Sequence, residues 1–588
     1  MVTLAHFIFL IITVTGIYGY PQQDGILEQI NLGTKQLQHS NVIPQSLTES
    51  VQKIKNITDA KQKSEMVCRA CEMVAGNVIS LRKSLADRDT MIDYLKKLCN
   101  VYTDFGPIAC EGYVNLDVDT VLFVIDYRAN FTPARFCSIR LQEYQCIDPQ
   151  AEPWVIPLPP PSQLASESAT SNKTTDSKPL NILHLTDIHY DALYKHGSDA
   201  QCKEPLCCEE GTPSKPENAA GYWGDYNCDT PLEAIEDLLK RINDKHKNID
   251  LIYFTGDIVS HKSWATSIQS NRESIRLILQ FFNKSFPNIT IFPILGNHES
   301  HPSDYFSPLN ALFTNVTTEW IFDLAADEWI KWLPIETQST IINGGYYTVL
   351  VKPGFRVVAL NSNVCFSSNL WLLYDDKDPF NQLLWLVKVL AQAEQNNEKV
   401  HLLSHIPPGE LTCHKQWSNQ FAKIVKRFSK TIVAHFNGHT HTDEFRLFIE
   451  DDQVINIAFN GASFTTFKTF NPNYRMYEVD NNSLVVSDYD QYIYDLKQAN
   501  KNSGTPPQWY KLYSFKDAYG LKDLSFPSLK SLYDKMTSNG SNNALVEQYY
   551  KYAGKMSEVY LSVPCDIKCK KQMICFISSV EANTSFNC

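Results

Sequence analysis

The chain has 588 residues, of which 43% are hydrophobic and 20% are charged. This length is about four times that of a typical domain, so we expect more than one domain, and the composition excludes disorder as the global state. The formal net charge is −12 at neutral pH. That balance excludes binding to nucleic acid through a general basic surface, although it says little about a small buried site.

The first twenty residues predict a secretory signal peptide, which we assign to residues 1–20. An apolar stretch runs from Phe7 to Val14 and small residues follow it, although no Lys or Arg precedes it. The alternative is an N-terminal membrane anchor, for which the apolar run is short. No later segment has the roughly 18 uninterrupted apolar residues that a spanning helix needs.

The cysteines and the glycosylation sequons also point to export. The sixteen cysteines are an even number, which fits an oxidising compartment. The chain has nine Asn-x-Ser/Thr sequons, and on an exported chain we expect some of them to be glycosylated. The candidate sites are Asn56, Asn130, Asn172, Asn283, Asn288, Asn315, Asn481, Asn539 and Asn583.

Residues 64–148 form a compact segment that combines six cysteines with helical patterns. The stretches CEMVAGNVISLRKSL and DTMIDYLKKLC place apolar residues three and four apart. Six cysteines allow fifteen pairings, and their spacing alone cannot choose among them. The six are Cys68, Cys71, Cys99, Cys110, Cys137 and Cys146.

This segment resembles a saposin domain, a small helical module that binds lipid through an apolar concave face. The resemblance implies an all-α domain, lipid contact and the bridges Cys68–Cys146, Cys71–Cys137 and Cys99–Cys110. The alternative is a disulfide-stapled helical bundle without a lipid role. We favour lipid contact because a fold this small normally keeps its apolar residues inside, and the staples free some of them for a ligand.

Three further segments follow the helical one. Residues 149–179 are rich in Pro and then in Ser and Thr, which predicts an extended linker. Between residues 180 and 498, apolar strand-like runs alternate with helical patterns, which predicts an α/β domain. Residues 499–588 are predicted to be a helical region stapled by Cys565, Cys569, Cys575 and Cys588.

Five apolar runs of the predicted α/β domain end in residues of metal-ligand type. They are NILHLTDIHYD, DLIYFTGDIVSH, IFPILGNHES, VHLLSHIPP and TIVAHFNGHTH. Side chains at the carboxyl ends of neighbouring strands gather in one crevice. Three oxygen donors and four imidazoles, without a thiolate, suit two divalent transition ions. The candidate ligands are Asp187, His189, Asp257, Asn297, His405, His439 and His441.

The ordered series D-x-H, G-D, G-N-H, S-H and G-H-x-H resembles the calcineurin-like metallophosphoesterase family over about residues 181–441. The resemblance implies a β-sandwich flanked by helices, two sets of metal ligands and a carboxylate that bridges the two ions. The implied sets are Asp187, His189 and His441 for one ion and Asn297, His405 and His439 for the other, with Asp257 as the bridge.

Two further histidines are candidate catalytic residues. His298 directly follows an implied ligand, and by analogy with the same family it would protonate or stabilise the leaving oxygen. His261 lies four residues after Asp257 and is a candidate for phosphate contact or proton transfer. For His261 the alternative is a hydrogen bond that orients a ligand.

The saposin-like segment, the linker and the phosphoesterase region together resemble the acid sphingomyelinase family along nearly the whole mature chain. Supporting stretches are CCEEGTPSKPENAAGYWGDYNCD and NPNYRMYEVD. The resemblance implies a secreted or lysosomal phosphodiesterase of the phospholipase C type, which uses two zinc ions to convert sphingomyelin to ceramide and phosphocholine. The ligand types alone do not separate zinc from manganese or iron. The alternatives are a phosphodiesterase for soluble nucleotides or other phospholipids, and a catalytically silent lipid-binding protein.

The same resemblance implies further pairings and partners. Tyr474 is a candidate for the pocket that holds the choline group, because aromatic faces attract quaternary ammonium ions; a core role is the alternative. We expect a monomer that contacts the membrane surface through the saposin-like domain.

The remaining implied disulfides are Cys202–Cys207, Cys208–Cys228, Cys365–Cys413, Cys565–Cys569 and Cys575–Cys588. For the four cysteines between residues 202 and 228, the alternative is a zinc site.

Overall fold

The structure is a computed structural model that describes residues 21–40, 42–162, 178–308, 311, 316–538, 543–585 and 588. The predicted signal peptide, residues 163–177 of the predicted linker and the sequons at Asn172, Asn315 and Asn539 lie outside these residues. Within the described ranges, no helix combines the length and the hydropathy that are needed to cross a membrane.

Six helices form the N-terminal part, which we call the helical unit. Two of them, α1 and α2, precede the predicted saposin-like segment, in a stretch where the sequence had predicted no element. Their side chains Leu27, Ile30, Leu47 and Val51 are at most 1% exposed and pack into one core with the next three helices. The helices are α1 (Pro21–Leu37), α2 (Gln45–Lys55), α3 (Ala60–Lys83), α4 (Arg88–Tyr102), α5 (Pro107–Tyr127) and α6 (Pro133–Arg140).

Two six-stranded mixed sheets form the central part. The first has the order β12-β11-β10-β1-β2-β3 and the second has the order β4-β5-β6-β7-β9-β8. All five predicted strand runs are strands, namely β1, β2, β3, β6 and β7. The strands are β1 (Leu180–Leu185), β2 (Leu251–Phe254), β3 (Thr290–Pro293), β4 (Tyr347–Lys352), β5 (Phe355–Ala359), β6 (Lys399–Leu403), β7 (Ile432–Asn437), β8 (Asp443–Glu450), β9 (Gln453–Gly461), β10 (Asn473–Val479), β11 (Val486–Ile493) and β12 (Tyr510–Ser514).

The two sheets pack against each other through aromatic side chains. The rings of Tyr253 in β2 and Phe436 in β7 lie 4.9 Å apart, and Phe436 lies 4.9 Å from Tyr477 in β10. Helices cover the other faces, so the predicted sandwich flanked by helices is confirmed. These helices are α7 (Leu232–Lys245), α8 (Ile268–Ser285), α9 (Glu319–Trp329), α10 (Gln338–Gly344), α11 (Trp371–Tyr374), α12 (Gln382–Gln395) and α13 (Lys415–Arg427).

The C-terminal part is helical except for one strand. Strand β12 pairs antiparallel with β11 and forms an edge of the first sheet, so the boundary predicted after residue 498 differs from the structure. Few residues indicate β12 before the structure is known, because an edge strand of five residues carries a weak pattern. The helices are α14 (Leu496–Lys501), α15 (Phe515–Tyr519), α16 (Phe526–Ser538), α17 (Ala544–Ala553), α18 (Glu558–Leu561), α19 (Ile567–Ser578) and α20 (Ala582–Ser585).

All sixteen cysteines form disulfides, in the same eight pairs that the resemblance implied. The cysteines between residues 202 and 228 are thus joined to each other, and their thiolates are not free to bind zinc. The helical unit packs directly on the sandwich. Arg135 in α6 donates hydrogen bonds to the carbonyls of Leu372 and Leu373 and to Asp376.

Candidate metal centre

Loops that follow five strands place the seven predicted metal ligands together. Strands β1, β2 and β3 run parallel in the first sheet, and β6 and β7 run parallel in the second. From the sequence, the five strands were expected to be neighbours whose carboxyl ends meet at one crevice. In the structure the strands belong to two sheets that face each other, and the carboxyl ends of both sheets meet at the site. All seven side chains are buried, with at most 7% exposure.

The first implied ligand set lies around His189. Its Nε2 atom is 3.1 Å from Nε2 of His441 and 3.9 Å from Oδ1 of Asp187. The Nε2 atom of His441 is 3.4 Å from the same Asp187 oxygen. Two imidazole nitrogens and a carboxylate oxygen therefore converge on one point, as a divalent ion requires.

The second implied set lies around Asn297. Its Oδ1 atom is 3.0 Å from Nε2 of His405 and 3.0 Å from Nδ1 of His439. The two ring nitrogens are 3.3 Å apart. This group also offers one oxygen and two nitrogens within the reach of a single ion.

Asp257 lies between the two sets. Its Oδ2 atom is 3.4 Å from Nε2 of His189 and 3.2 Å from Nε2 of His405. This oxygen is buried and receives no hydrogen bond of regular geometry from the described residues. Burying a carboxylate oxygen without a partner costs free energy. A cation on each side of this oxygen would supply the missing partners. The donor set therefore fits two divalent ions that share Asp257.

Backbone carbonyls orient two of the ligand imidazoles. The Nδ1 atom of His189 lies 2.8 Å from the carbonyl of Val259, and Nδ1 of His405 lies 2.7 Å from the carbonyl of Thr255. Only a protonated Nδ1 can donate these bonds, which leaves the Nε2 lone pair free for a metal ion. The loop after β2 thus supplies the bridging carboxylate and also fixes the tautomers of two other ligands.

Five of the seven ligands have a left-handed backbone conformation. Such conformations are uncommon for residues other than glycine and concentrate at functional sites. The loops also pack closely, since a Cβ atom on Gly296 would lie 2.1 Å from Oδ1 of Asp257. The five φ angles are 51° at Asp187, 44° at His189, 62° at Asp257, 75° at His439 and 62° at His441.

The charge balance of the cluster also favours cations. Burial lowers the pKa of His405, but the nearby Asp257 carboxylate outweighs this effect and raises the pKa to about 9. The Asp257 carboxylate therefore stabilises positive charge beside it. A divalent cation takes the place of a proton there, which makes its binding depend on pH.

Both predicted catalytic histidines border this cluster. The ring centroids of His261 and His189 are 3.9 Å apart, and those of His298 and His261 are 4.6 Å apart. The backbone N–H of His298 donates to Oδ1 of Asp257 over 2.9 Å, while its Nδ1 lies 3.2 Å from the carbonyl of Ser260. Its Nε2 atom is buried without a hydrogen-bond partner among the described residues, so it is available to a ligand.

Beside each catalytic candidate lies a carboxylate that was not among the predicted site residues. Asp229 holds His261 through its backbone N–H and through Nδ1, the latter over 2.8 Å. Glu299 accepts hydrogen bonds from the backbone N–H groups of Gly296, Asp257 and Ile258. The Glu of GNHES was a visible signal, whereas nothing in YNCDT marks Asp229.

Tyr474 lies on the wrong side of its sheet for the predicted choline pocket. In β10, Arg475 and Tyr477 point between the sheets, so Tyr474 points to the opposite face, under α7. Its hydroxyl bonds to His246 over 3.0 Å, and its ring stacks 4.8 Å from that of Tyr492. The structure supports the alternative of a core role.

Five of the predicted glycosylation sites can be placed on the described surface. Asn56, Asn130, Asn283 and Asn288 are exposed, and Asn481 is half-buried beside Lys352, which donates to its side-chain oxygen. Asn583 lies in the short helix α20. Exposure allows glycosylation but does not establish it, so occupancy stays a prediction.

The fold and the site define a metal-dependent phosphoesterase with a dinuclear centre. Residues 180–443 match the family described as calcineurin-like phosphoesterase, and residues 450–588 match the acid sphingomyelin phosphodiesterase C-terminal region. Sphingomyelin phosphodiesterase 1 of Caenorhabditis elegans is 30% identical over 572 residues, which cover 95% of this chain and 98% of that protein. The sphingomyelin phosphodiesterase of Homo sapiens is 34% identical over 504 residues, which cover 84% and 78%.

The chain belongs to the sphingomyelin phosphodiesterase family, as the predicted resemblance to acid sphingomyelinase indicated. Among solved structures, a dimetal phosphatase from Danio rerio aligns with a TM-score of 0.36 and 10% identity, covering 57% of this chain and all of that chain. A likeness this low adds nothing to the argument from the site.

Proposed function

We propose that the protein hydrolyses sphingomyelin to ceramide and phosphocholine as a metal-dependent phosphodiesterase of the phospholipase C type. One observation carries the proposal: the unsatisfied Oδ2 atom of Asp257 lies between two three-residue ligand sets, in a chain of the sphingomyelin phosphodiesterase family. Two zinc ions are the proposed cofactors, since nitrogen and oxygen donors without thiolate accommodate zinc. Such a pair polarises the phosphate oxygens and lowers the pKa of the attacking water.

The chain's own residues complete the reaction. Water adds to phosphorus, the bond to the ceramide oxygen breaks, and that oxygen takes a proton. His298 is the proposed proton donor because its Nε2 atom faces the site without another partner among the described residues. Burial lowers the pKa of His298 to about 4, so only a minor fraction of the rings is protonated above about pH 5, and this fraction grows as the medium becomes more acidic. His261, held by Asp229, is proposed to contact the phosphate.

The domain assignment and the location belong to the same proposal. Residues 64–148 are proposed to dock on lipid and residues 180–498 to carry the chemistry. The protein is proposed to be a monomer that is glycosylated and secreted or delivered to lysosomes. Eight disulfides support an oxidising compartment.

The test compares substrates and removes the metals. We expect the purified protein to release ceramide and phosphocholine from vesicles of phosphatidylcholine and sphingomyelin, to turn over nucleotide diesters more slowly, and to hold two zinc ions per chain. A chelator should abolish turnover. The variant His298→Ala should lose at least ~10²-fold in turnover and keep both ions, whereas the exposed control His196→Ala should match the wild type. Chelator-resistant turnover or a preference for nucleotide diesters contradicts the proposal.

A further inference from the structure

The disulfides divide the helical unit into two covalent arms. Cys68–Cys146 and Cys71–Cys137 tie α3 to α6 and to the residues just after it, and we call this pair of helices arm A. Cys99–Cys110 ties α4 to the start of α5, and we call this pair arm B. No disulfide joins the two arms, because all sixteen cysteines are already paired in other ways. Packing, two chain connections and the ion pair of Arg82 in α3 with Asp126 in α5 hold arm A against arm B, and α11 of the sandwich contacts both arms.

An apolar cavity of ≈ 70 Å³ lies between the arms. Val74 and Val78 of α3 line one side, and Leu95 and Leu98 of α4 line the other. A cavity of this volume has room for a few water molecules and not for a lipid chain. The unit is therefore closed, and the arms have to separate before lipid can enter between them.

Helices α1 and α2 form a hairpin that contacts both arms. On arm A, Arg69 pairs with Asp24 at 3.1 Å, and the side chain of Asn77 donates to that of Asn31 over 3.3 Å. These contacts hold α1 along the length of α3.

The same hairpin bonds to arm B through Thr34. The hydroxyl of Tyr94 donates to the Thr34 carbonyl over 3.2 Å, and the Thr34 hydroxyl lies 3.3 Å from that of Tyr102. Tyr102 also lines the cavity. Further along the hairpin, Lys97 of α4 reaches the carbonyl of Leu37. The hairpin thus bridges two arms that no disulfide joins.

The hairpin is held without any covalent staple, because every cysteine lies after it in the chain. Its attachment depends on apolar packing: Leu37 and Ile54 are at most 1% exposed, like the four side chains already described. The two helices approach closely at Gly33, where a Cβ atom would lie 2.7 Å from Cβ of Leu47. The connection to arm A, residues 56–59, is mostly exposed.

We infer that the α1–α2 hairpin is a releasable brace that keeps the helical unit closed, and that a bilayer of phosphatidylcholine and sphingomyelin replaces it when the arms open. The inference rests on the lipid-docking role proposed for residues 64–148. A membrane shifts this equilibrium only through its greater affinity for the open unit. Weakening the brace therefore strengthens membrane binding without touching the metal centre.

The test uses the full-length chain with one variant and a matched control. Gly33→Val should force α1 away from Leu47, whereas Gly25→Ala on the same helix meets nothing within 4 Å. We expect Gly33→Val to bind vesicles of phosphatidylcholine and sphingomyelin about tenfold more tightly than the wild type, because overpacking against Leu47 displaces the neighbouring Thr34 from Tyr94 and Tyr102 and so disfavours the closed unit. Gly25→Ala should bind like the wild type, and both should hydrolyse a soluble chromogenic phosphodiester at the wild-type rate.

Two outcomes overturn the inference. One is a Gly33→Val protein with normal turnover of the soluble diester and unchanged or weaker vesicle binding. The other covers a variant that does not fold. A protease site placed in residues 56–59 allows the folded protein to be cut and the hairpin to be removed, and equal vesicle binding with and without the hairpin shows that the hairpin is no brace. A failure of the proposed function would be seen in a different experiment: the wild type would not hydrolyse sphingomyelin in detergent micelles.

Discussion

Glu299 positions the predicted metal ligand Asp257 without being a ligand itself. Its carboxylate accepts hydrogen bonds from three backbone N–H groups, including that of Asp257. Burial raises the pKa of Glu299 to about 8, and the Asp257 charge adds to this effect. Glu299 therefore holds the loop from which Asp257 reaches both ligand sets.

Replacing this carboxylate should weaken metal binding. In Glu299→Gln, the amide nitrogen cannot accept a hydrogen bond, so at least one buried N–H loses its partner and the loop shifts. We expect a loss of about 10–100-fold in metal affinity, measured by competition with a chromophoric chelator. The exposed control Glu236→Gln on α7 should bind metal like the wild type. Unchanged affinity in Glu299→Gln would show that packing alone fixes the Asp257 loop.

At the scale of elements, α6 joins the helical unit to the sandwich through Arg135. Its guanidinium donates to two carbonyls at the end of α11 and pairs with Asp376 at 2.9 Å. The Arg135 side chain is only 8% exposed, so its contacts are well shielded from water. Breaking such a buried group of contacts leaves the carbonyls and the carboxylate without their donor.

Arg135→Ala should loosen this junction. We expect the free energy of unfolding to fall by about 3 kcal/mol, measured in urea, because a buried ion pair and two hydrogen bonds are lost. The control is Arg241→Ala, whose guanidinium is 41% exposed and pairs with Asp237; it should change stability by less than about 1 kcal/mol. Equal effects of the two substitutions would mean that the α6–α11 contact contributes nothing to stability.

At the scale of the whole molecule, three buried histidines make the fold sensitive to acid. Burial lowers the pKa of His401 to about 4 and the pKa values of His184 and His435 to about 3. In β6, His401 lies 2.7 Å from the hydroxyl of Tyr253 and 2.7 Å from the carbonyl of Leu484, an arrangement that suits the neutral ring. Unfolding returns these pKa values to about 6.5.

The free energy of unfolding should therefore decrease as the pH falls from 6.5 to 4. In this window the unfolded chain binds protons that the folded chain excludes, at about 1.4 kcal/mol per proton and pH unit. We expect His401→Gln to reduce the slope of unfolding free energy against pH by about this amount, as measured in urea at several pH values. The exposed control His39→Gln should keep the wild-type slope. An unchanged slope in His401→Gln would contradict the assignment of a neutral His401.

The sequence alone established the family and much of the site. Five short apolar runs predicted strands because strands buried on both faces are continuously apolar, and the ligand residues at their ends form a recognisable ordered series. The family-implied cysteine pairs also came from the sequence, and export stays a prediction. Local patterns carry this information because each depends on a few neighbouring residues.

Only the tertiary structure decided which distant groups meet. In the structure the predicted ligands come from two facing sheets, and Asp229 lies beside His261. Tyr474 points away from the metal centre, and α1 and α2 belong to the helical unit. None of these results follows from periodicity, because each depends on how sheets and helices pack across hundreds of residues. Apolar spacing determines whether a segment is a strand or a helix, whereas the packing of the whole chain determines which side chains share a site.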